Sequence, residues 1–240
     1  MKRLVPVGIG AAASLAVAAG LAAAALPQDM PKSYLLSGPG RVTPLRSGVT
    51  YHASLFPLAV RATPPEAGWS GAQWKSTSAY FSDTGGPPYF GWAAFAGGSP
   101  RSIPQGLVTI VTAYDRTPSV AATVETLRTR GRGATYGASA PVKVAGFSGV
   151  QFDGRIVGAR REHIGHFFVP FSPPSSAAKY YPDEYPVYGD VFRVIVLDVR
   201  GKTVVAIVEN VALPAERFPA FLERAGRLLQ SLRFPAGKGA

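Results

Sequence analysis

The sequence predicts an α+β domain, a mainly antiparallel β-sheet with helices packed on it. Three observations carry this. Stretches that read as strand outnumber those that read as helix, which leaves few crossovers for parallel pairing. The stretch VFRVIVLDVRGKTVVAIVENV (191–211) folds back at Arg200-Gly201 as a hairpin apolar on both faces, the pattern of central strands covered on two sides. The stretch PAERFPAFLERAGRLLQSLRF (214–234) lays Phe218, Phe221, Leu222, Ala225, Leu229 and Leu232 along one stripe. Glu216, Glu223, Arg224 and Arg227 fall off that stripe, so this is a packing helix.

From the N-terminus, Met1, Lys2 and Arg3 precede an uncharged, Ala- and Gly-rich run from Leu4 to Leu26. Its end, AAAALPQD, has small residues where a signal peptidase reads, so residues 1–25 read as a signal peptide cut near Ala24 or Ala25. If kept, the run is long enough for an anchor, which needs about 20 apolar residues. Residues 26–48 are dense in Pro, Gly and Ser without periodicity and read as a flexible linker. The folded domain is expected over 49–235, with a disordered tail at 236–240.

Within it, VTYHASLFPLAVRATP (49–64) reads as strand ending in a TPPEAGW turn, and Trp69 and Trp74 flank SGAQ. The runs PPYFGWAAFAG (87–97) and GLVTIVTAY (106–114) read as short buried strands that pair as neighbours. Next comes a helix in DRTPSVAATVETLRTRG, with Thr117 as N-cap, Pro118 at its first position, Val120, Val124 and Leu127 as its apolar stripe, and Gly131 as its stop. The stretch APVKVAGFSGVQFDGRIVG (140–158) gives strand, a break at Gly146, and strand.

Composition narrows the function. The chain has no Cys, which removes disulfides, thiolate nucleophiles, thiolate metal ligands and lipid attachment at a lipobox. The formal charge is +11, but the cations are dispersed. The clusters RTRGRG (128–133) and RR (160–161) are not interleaved with aromatics as a nucleic-acid groove requires. Arg128, Arg130 and Arg132 read instead as cations favoured at a helix C-terminus.

Reactive chemistry finds little support. Ser148 in GFSGV has G-x-S-G rather than G-x-S-x-G spacing, with no helix after it, and reads as a turn residue between strands. His163 and His166 in REHIGHFF have H-x-x-H spacing, but in a strand they point to opposite faces, so solvated or hydrogen-bonding roles are expected and no metal. Asp153 reads as a turn or strand-face residue, and Asp183 and Glu184 as adjacent acids of one loop, a poor catalytic pair. There is no phosphate-binding or dinucleotide fingerprint, and no cofactor is expected.

The stretch KYYPDEYPVYGD (179–190) is the best candidate for a binding surface. Tyr180, Tyr181, Tyr185 and Tyr188 punctuate a Pro-stiffened loop of about 20 residues, longer than most connections, and tyrosine gives large contact area at low ordering cost. The alternative is that these rings pack back on the sheet edge.

Taken in order, LFPLAVRATPPEAGW, an aromatic strand, VAGFSGVQFDG, FRVIVLDVRGKTVVAIVE and LLQSLRFP resemble secreted bacterial proteins that are similar to the PsbP-like α/β/α sandwich group, which includes mycobacterial lipoproteins of the LpqN kind. The likeness covers about residues 49–235 and rests on structural motifs. It implies a partner-binding or accessory role and brings no catalytic residues to this chain, which also lacks the lipoproteins' lipobox Cys.

The resulting expectation is a non-enzymatic, secreted or envelope-associated domain that binds a protein, a glycan or a small apolar ligand. Its candidate contacts are Tyr180, Tyr181, Tyr185, Tyr188, Trp69, Trp74, Phe90 and Trp92. A hydrolase or metal enzyme would instead act through Ser148, or through His163 with His166. A third alternative is salt-sensitive attachment to an anionic wall or membrane.

Overall fold

The computed structural model describes residues 26–32, 42–74, 89–95, 104–112, 119–130, 133–157, 165–168, 184–187 and 191–236. The stretch 1–25, expected to be a signal peptide, therefore lies outside the described residues. The described residues form mainly antiparallel β-sheet with two α-helices, an α+β architecture.

A nine-stranded sheet forms the frame. Its strands are β2 (Thr43–Pro44), β5 (Trp69–Trp74), β6 (Tyr89–Phe95), β7 (Pro104–Thr112), β8 (Ala134–Tyr136), β9 (Ala140–Val144), β10 (Phe147–Ile156), β13 (Val191–Val199) and β14 (Lys202–Asn210). The spatial order is β2-β5-β6-β7-β14-β13-β10-β8, with β9 also paired to β10. The expected hairpins are present. Arg200 (φ 56°) and Gly201 (φ 76°) turn β13 into β14, and Asp198 Oδ1 accepts the Gly201 N–H at 2.7 Å. Ala145 (φ 51°) and Gly146 (φ 90°) turn β9 into β10 in the same left-handed way, which suits the twist of two-residue hairpins.

A smaller sheet joins β1 (Gln28–Asp29), β3 (Tyr51–His52) and β4 (Arg61–Ala62), with β1 parallel to β3. The stretch 49–64 is thus two short strands around a turn rather than one strand. A ribbon pairs β11 (Gly165–Phe168) with β12 (Glu184–Val187).

Alternation along the central strands sorts side chains into two layers. On one face Val108, Ile110, Val204, Ala206, Val208, Ile195 and Leu197 pack with Phe218, Phe221, Ala225, Leu228 and Leu229 of α2 (Phe218–Gln230). On the other, Val111, Val194, Val196, Val205, Ile207, Phe152 and Phe192 pack with Leu127 of α1 (Val120–Arg130). One helix therefore covers each face. Ser119 precedes α1 and its Oγ accepts the Ala122 N–H at 3.2 Å; Thr117 and Pro118, the expected cap and first position, lie outside the described residues. Arg128 of α1 reaches across to the Gly137 carbonyl (2.8 Å) and Ser139 Oγ (2.9 Å), so its role is to hold the β8–β9 segment.

Two parts of the expected linker are built into the fold. Met30 is 1% exposed and Leu45 is 6% exposed, both in the α2-side core. The buried Gln73 explains why the first part docks. Its Nε2 donates to Asp29 Oδ1 (2.8 Å) and the Met30 carbonyl (2.7 Å), and its Oε1 accepts the Leu55 N–H (2.8 Å). Backbone bonds from Gln28 N to Thr50 O (2.9 Å), Met30 N to His52 O (2.8 Å) and Gln73 N to Pro31 O (2.8 Å) complete the attachment. At the far end of the sheet, Gln230 accepts the Ala145 N–H at 2.9 Å and donates to the Lys143 carbonyl at 3.1 Å.

Candidate functional site

The structure separates residues that the sequence grouped as one contact surface. Trp69, Phe90 and Trp92, expected to touch a ligand, are 1%, 1% and 2% exposed and belong to the core under α2. Phe90 meets Phe56 and Trp92 edge-on, with ring centres 4.7 and 5.2 Å apart, and Trp69 lies 6.0 Å from Phe221. Residues two apart on a strand share a face, so Phe90 and Trp92 point inward together. Trp74 ends β5 opposite Tyr89.

The tyrosine segment lies elsewhere. Tyr185 is in β12, in register with Phe167, so this part of the expected loop is a paired strand; Pro186 within it suits an edge position. Strand β11 lies beside α1, the helix on the sheet face opposite Trp69, Phe90 and Trp92. Tyr180, Tyr181 and Tyr188 are outside the described residues.

The α1-side face also holds a floor that the sequence reading missed. The cross-strand register aligns Ser70, Ala93, Leu107, Glu209, Phe192, Gly154 and Tyr136 in one row from β5 to β8. The next row runs Ala72, Gly91, Thr109, Ile207, Val194 and Phe152. On β13 and β10 these rows carry bulky apolar side chains packed near α1. On β5, β6 and β7 they carry Ser70, Ala72, Gly91, Ala93 and Thr109, small or polar and all buried, with the half-buried Leu107 as the one large side chain. Glu209, at 0% exposure, stands where the two halves meet. The signal in the sequence is a lone acid inside the β-branched run TVVAIVEN, since a carboxylate is rarely buried without a specific partner.

The other chemical candidates are placed as follows. Ser148 is exposed on β10 opposite Lys143, one residue beyond a strand-to-strand turn, whereas a nucleophile elbow needs a strand-to-helix turn. His166 is on β11 opposite Pro186, and His163 lies outside the described residues. Among the described residues no three His, Asp or Glu side chains gather as metal ligands would. Asp153 forms a two-pronged pair with Arg193, at 2.6 and 2.9 Å, and that hydrogen bond raises the Arg193 pKa against the effect of burial.

Two further carboxylates are held by donors. Burial pushes Asp29 up, and hydrogen bonds from Ser54, Gln73 and Lys32 outweigh it, so its pKa is lowered. For Glu66, burial again acts upward and is outweighed by Arg227 and Arg224, so this pKa is also lowered. Both are structural ties, joining β1 and α2 to the rest of the fold. No protein-family model and no curated protein matches the chain, so a functional assignment rests on its own residues.

Proposed function

We propose that this protein is an extracytoplasmic binding or accessory domain that takes its ligand or partner on the α1 side of the sheet, between the tyrosine-bearing ribbon and the floor of β5, β6 and β7. The observation that carries this is the change in side-chain size across one face. Ser70, Ala72, Gly91, Ala93 and Thr109 are too short to span the layer of about 10 Å that separates a sheet from what packs on it. They are all buried, so other residues of this chain lie over them, and the ligand or partner is met beside that cover. Tyrosine, which the segment 179–190 carries four times, suits contact with a glycan, a peptide or an apolar small molecule. The layering of one helix on each face supports a likeness to the PsbP-like sandwich group, whose members imply an accessory rather than a catalytic role.

Native mass spectrometry of the protein from its own host tests this, with Ala93→Phe filling the floor. A retained mass or co-purifying partner in the natural chain, lost in a variant that keeps its circular dichroism, supports the reading. A bare chain in both, together with tyrosine substitutions that change no capture from envelope extract, would refute it.

A further inference from the structure

The three-stranded sheet has a second face whose composition points to a partner. Its register sets Asp29, His52, Arg61 and Arg233 side by side in one row, on the face opposite the buried Tyr51 and Ala62. Arg61 and Arg233 are directly opposite each other, joined by two backbone hydrogen bonds of 2.8 Å, and both are exposed. Like charges in such positions repel. Among the described residues Arg61 has no acidic partner. Arg233 turns one nitrogen to the Gln230 and Leu232 carbonyls, at 2.9 and 2.7 Å, which leaves most of its fork for another acceptor. The single acid of the row, Asp29, is taken up by Lys32 (3.3 Å), Ser54 (3.0 Å), Gln73 (2.8 Å) and His52 Nε2 (3.5 Å), and the other ring nitrogen of His52 faces the Gln28 carbonyl at 3.1 Å. Beside the row, the hydroxyls of Thr50 and Thr63 lie 2.9 Å apart. Guanidinium forks next to hydroxyls suit phosphate oxygens.

We infer that this face, through Arg61 and Arg233, docks the domain onto anionic lipid headgroups. The source of the phosphate is argued from the chain itself. Leu26, 89% exposed, ends the uncharged run 4–26 and stands two residues before β1, a reach of at most about 7 Å. Arg61 and Arg233 lie two and three strand positions further, about 10 to 15 Å away. If the run is kept as an anchor, the basic row lies next to its point of entry into a bilayer, in a chain of net charge +11. This step rests on the run 4–26 being kept as an anchor rather than cut near Ala24 or Ala25, and it is independent of the ligand site on the α1 side.

The test uses the full chain in nanodiscs of phosphatidylcholine, alone or mixed equally with phosphatidylglycerol, and follows amide exchange over residues 50–63. Slower exchange on the anionic discs is expected, and it is lost near 1 M salt, where the screening length falls to about 3 Å. One cation near such a surface contributes about fivefold, so Arg61→Ala lowers the protection by about that factor and Arg61→Lys retains it. Arg61 makes no side-chain hydrogen bond or ion pair among the described residues, so an unchanged melting temperature in Arg61→Ala keeps the comparison sound. Equal exchange on neutral and anionic discs, or no response to Arg61→Ala, overturns the inference. Equal protection by inorganic phosphate on neutral discs also overturns it, in favour of a small anion.

Discussion

The guanidinium of Arg224 lies 4.5 Å from the centre of the Trp69 indole while its Nε donates to Glu66 Oε1 at 2.6 Å and its second nitrogen donates to the Ala67 carbonyl at 2.9 Å. One side chain thus fastens α2 to the turn that enters β5. Arg224→Ala is expected to lower stability by about 1–2 kcal/mol, from lost stacking, ion pair and buried stem. Arg224→Lys keeps the charge without the fork and falls between. Urea unfolding measures both, and a Lys variant as stable as the natural chain would refute the stacked-fork account.

Glu66 accepts from Arg224 and Arg227 and has its pKa lowered from 4.5. A carboxyl whose folded pKa is depressed contributes stability above its unfolded value, and that contribution disappears as pH falls through the folded value. Natural chain and Glu66→Gln therefore differ most at neutral pH, by about 0.5–1 kcal/mol because the side chain is 34% exposed, and converge in acid. Thermal melts from about pH 7 to about pH 3 check this; a gap that widens in acid refutes it.

Gln73 is the centre of the N-terminal attachment. Gln73→Leu keeps the volume but strands the Leu55 N–H and the Met30 carbonyl, a cost of about 2–4 kcal/mol. Limited proteolysis should then trim the segment 26–32 well before the sheet is cut. Trimming at the natural rate would show that the backbone bonds suffice alone.

Gly154 leaves room for the Phe192 ring, since a Cβ there would sit 2.1 Å from Phe192 Cζ. Phe192 is fully buried beside Phe152 and Tyr136 and has nowhere to turn. Gly154→Ala is expected to cost about 1–3 kcal/mol, and Phe192→Leu in the same chain should recover part of that cost. Strictly additive losses in the double-mutant cycle would rule out the clash.

The hairpins and the helix α2 were legible because local chemistry decides them. Gly201 and Gly146 suit the second, left-handed position of these turns, whose first positions carry Arg200 and Ala145 at positive φ, and the stripe from Phe218 to Leu232 repeats at helical spacing. The strand at Trp69–Trp74 was missed because WSGAQW has neither β-branched residues nor clean alternation; pairing with β6 and burial of Trp69 and Gln73 impose it. Met30 and Leu45 were lost among Pro and Gly, since docking depends on a distant glutamine and no local pattern records it. For the site, sequence made the aromatic residues alike, while strand parity placed Trp69, Phe90 and Trp92 in the core under α2. The buried floor around Thr109 and Glu209 exists only through cross-strand register.

A wide sheet ends in two rows of main-chain groups that can template another copy's strand, and here part of each end is closed. Along β5, the outer groups are met by Thr43–Pro44 and by the stretch at Pro31–Lys32. Along β9, Pro141 has no N–H to offer, and the amide of Gln230 occupies the Lys143 carbonyl and the Ala145 N–H. The segment that looked like a mere tether thus guards one border of the sheet against polymerisation, and a single glutamine at the end of α2 guards the other.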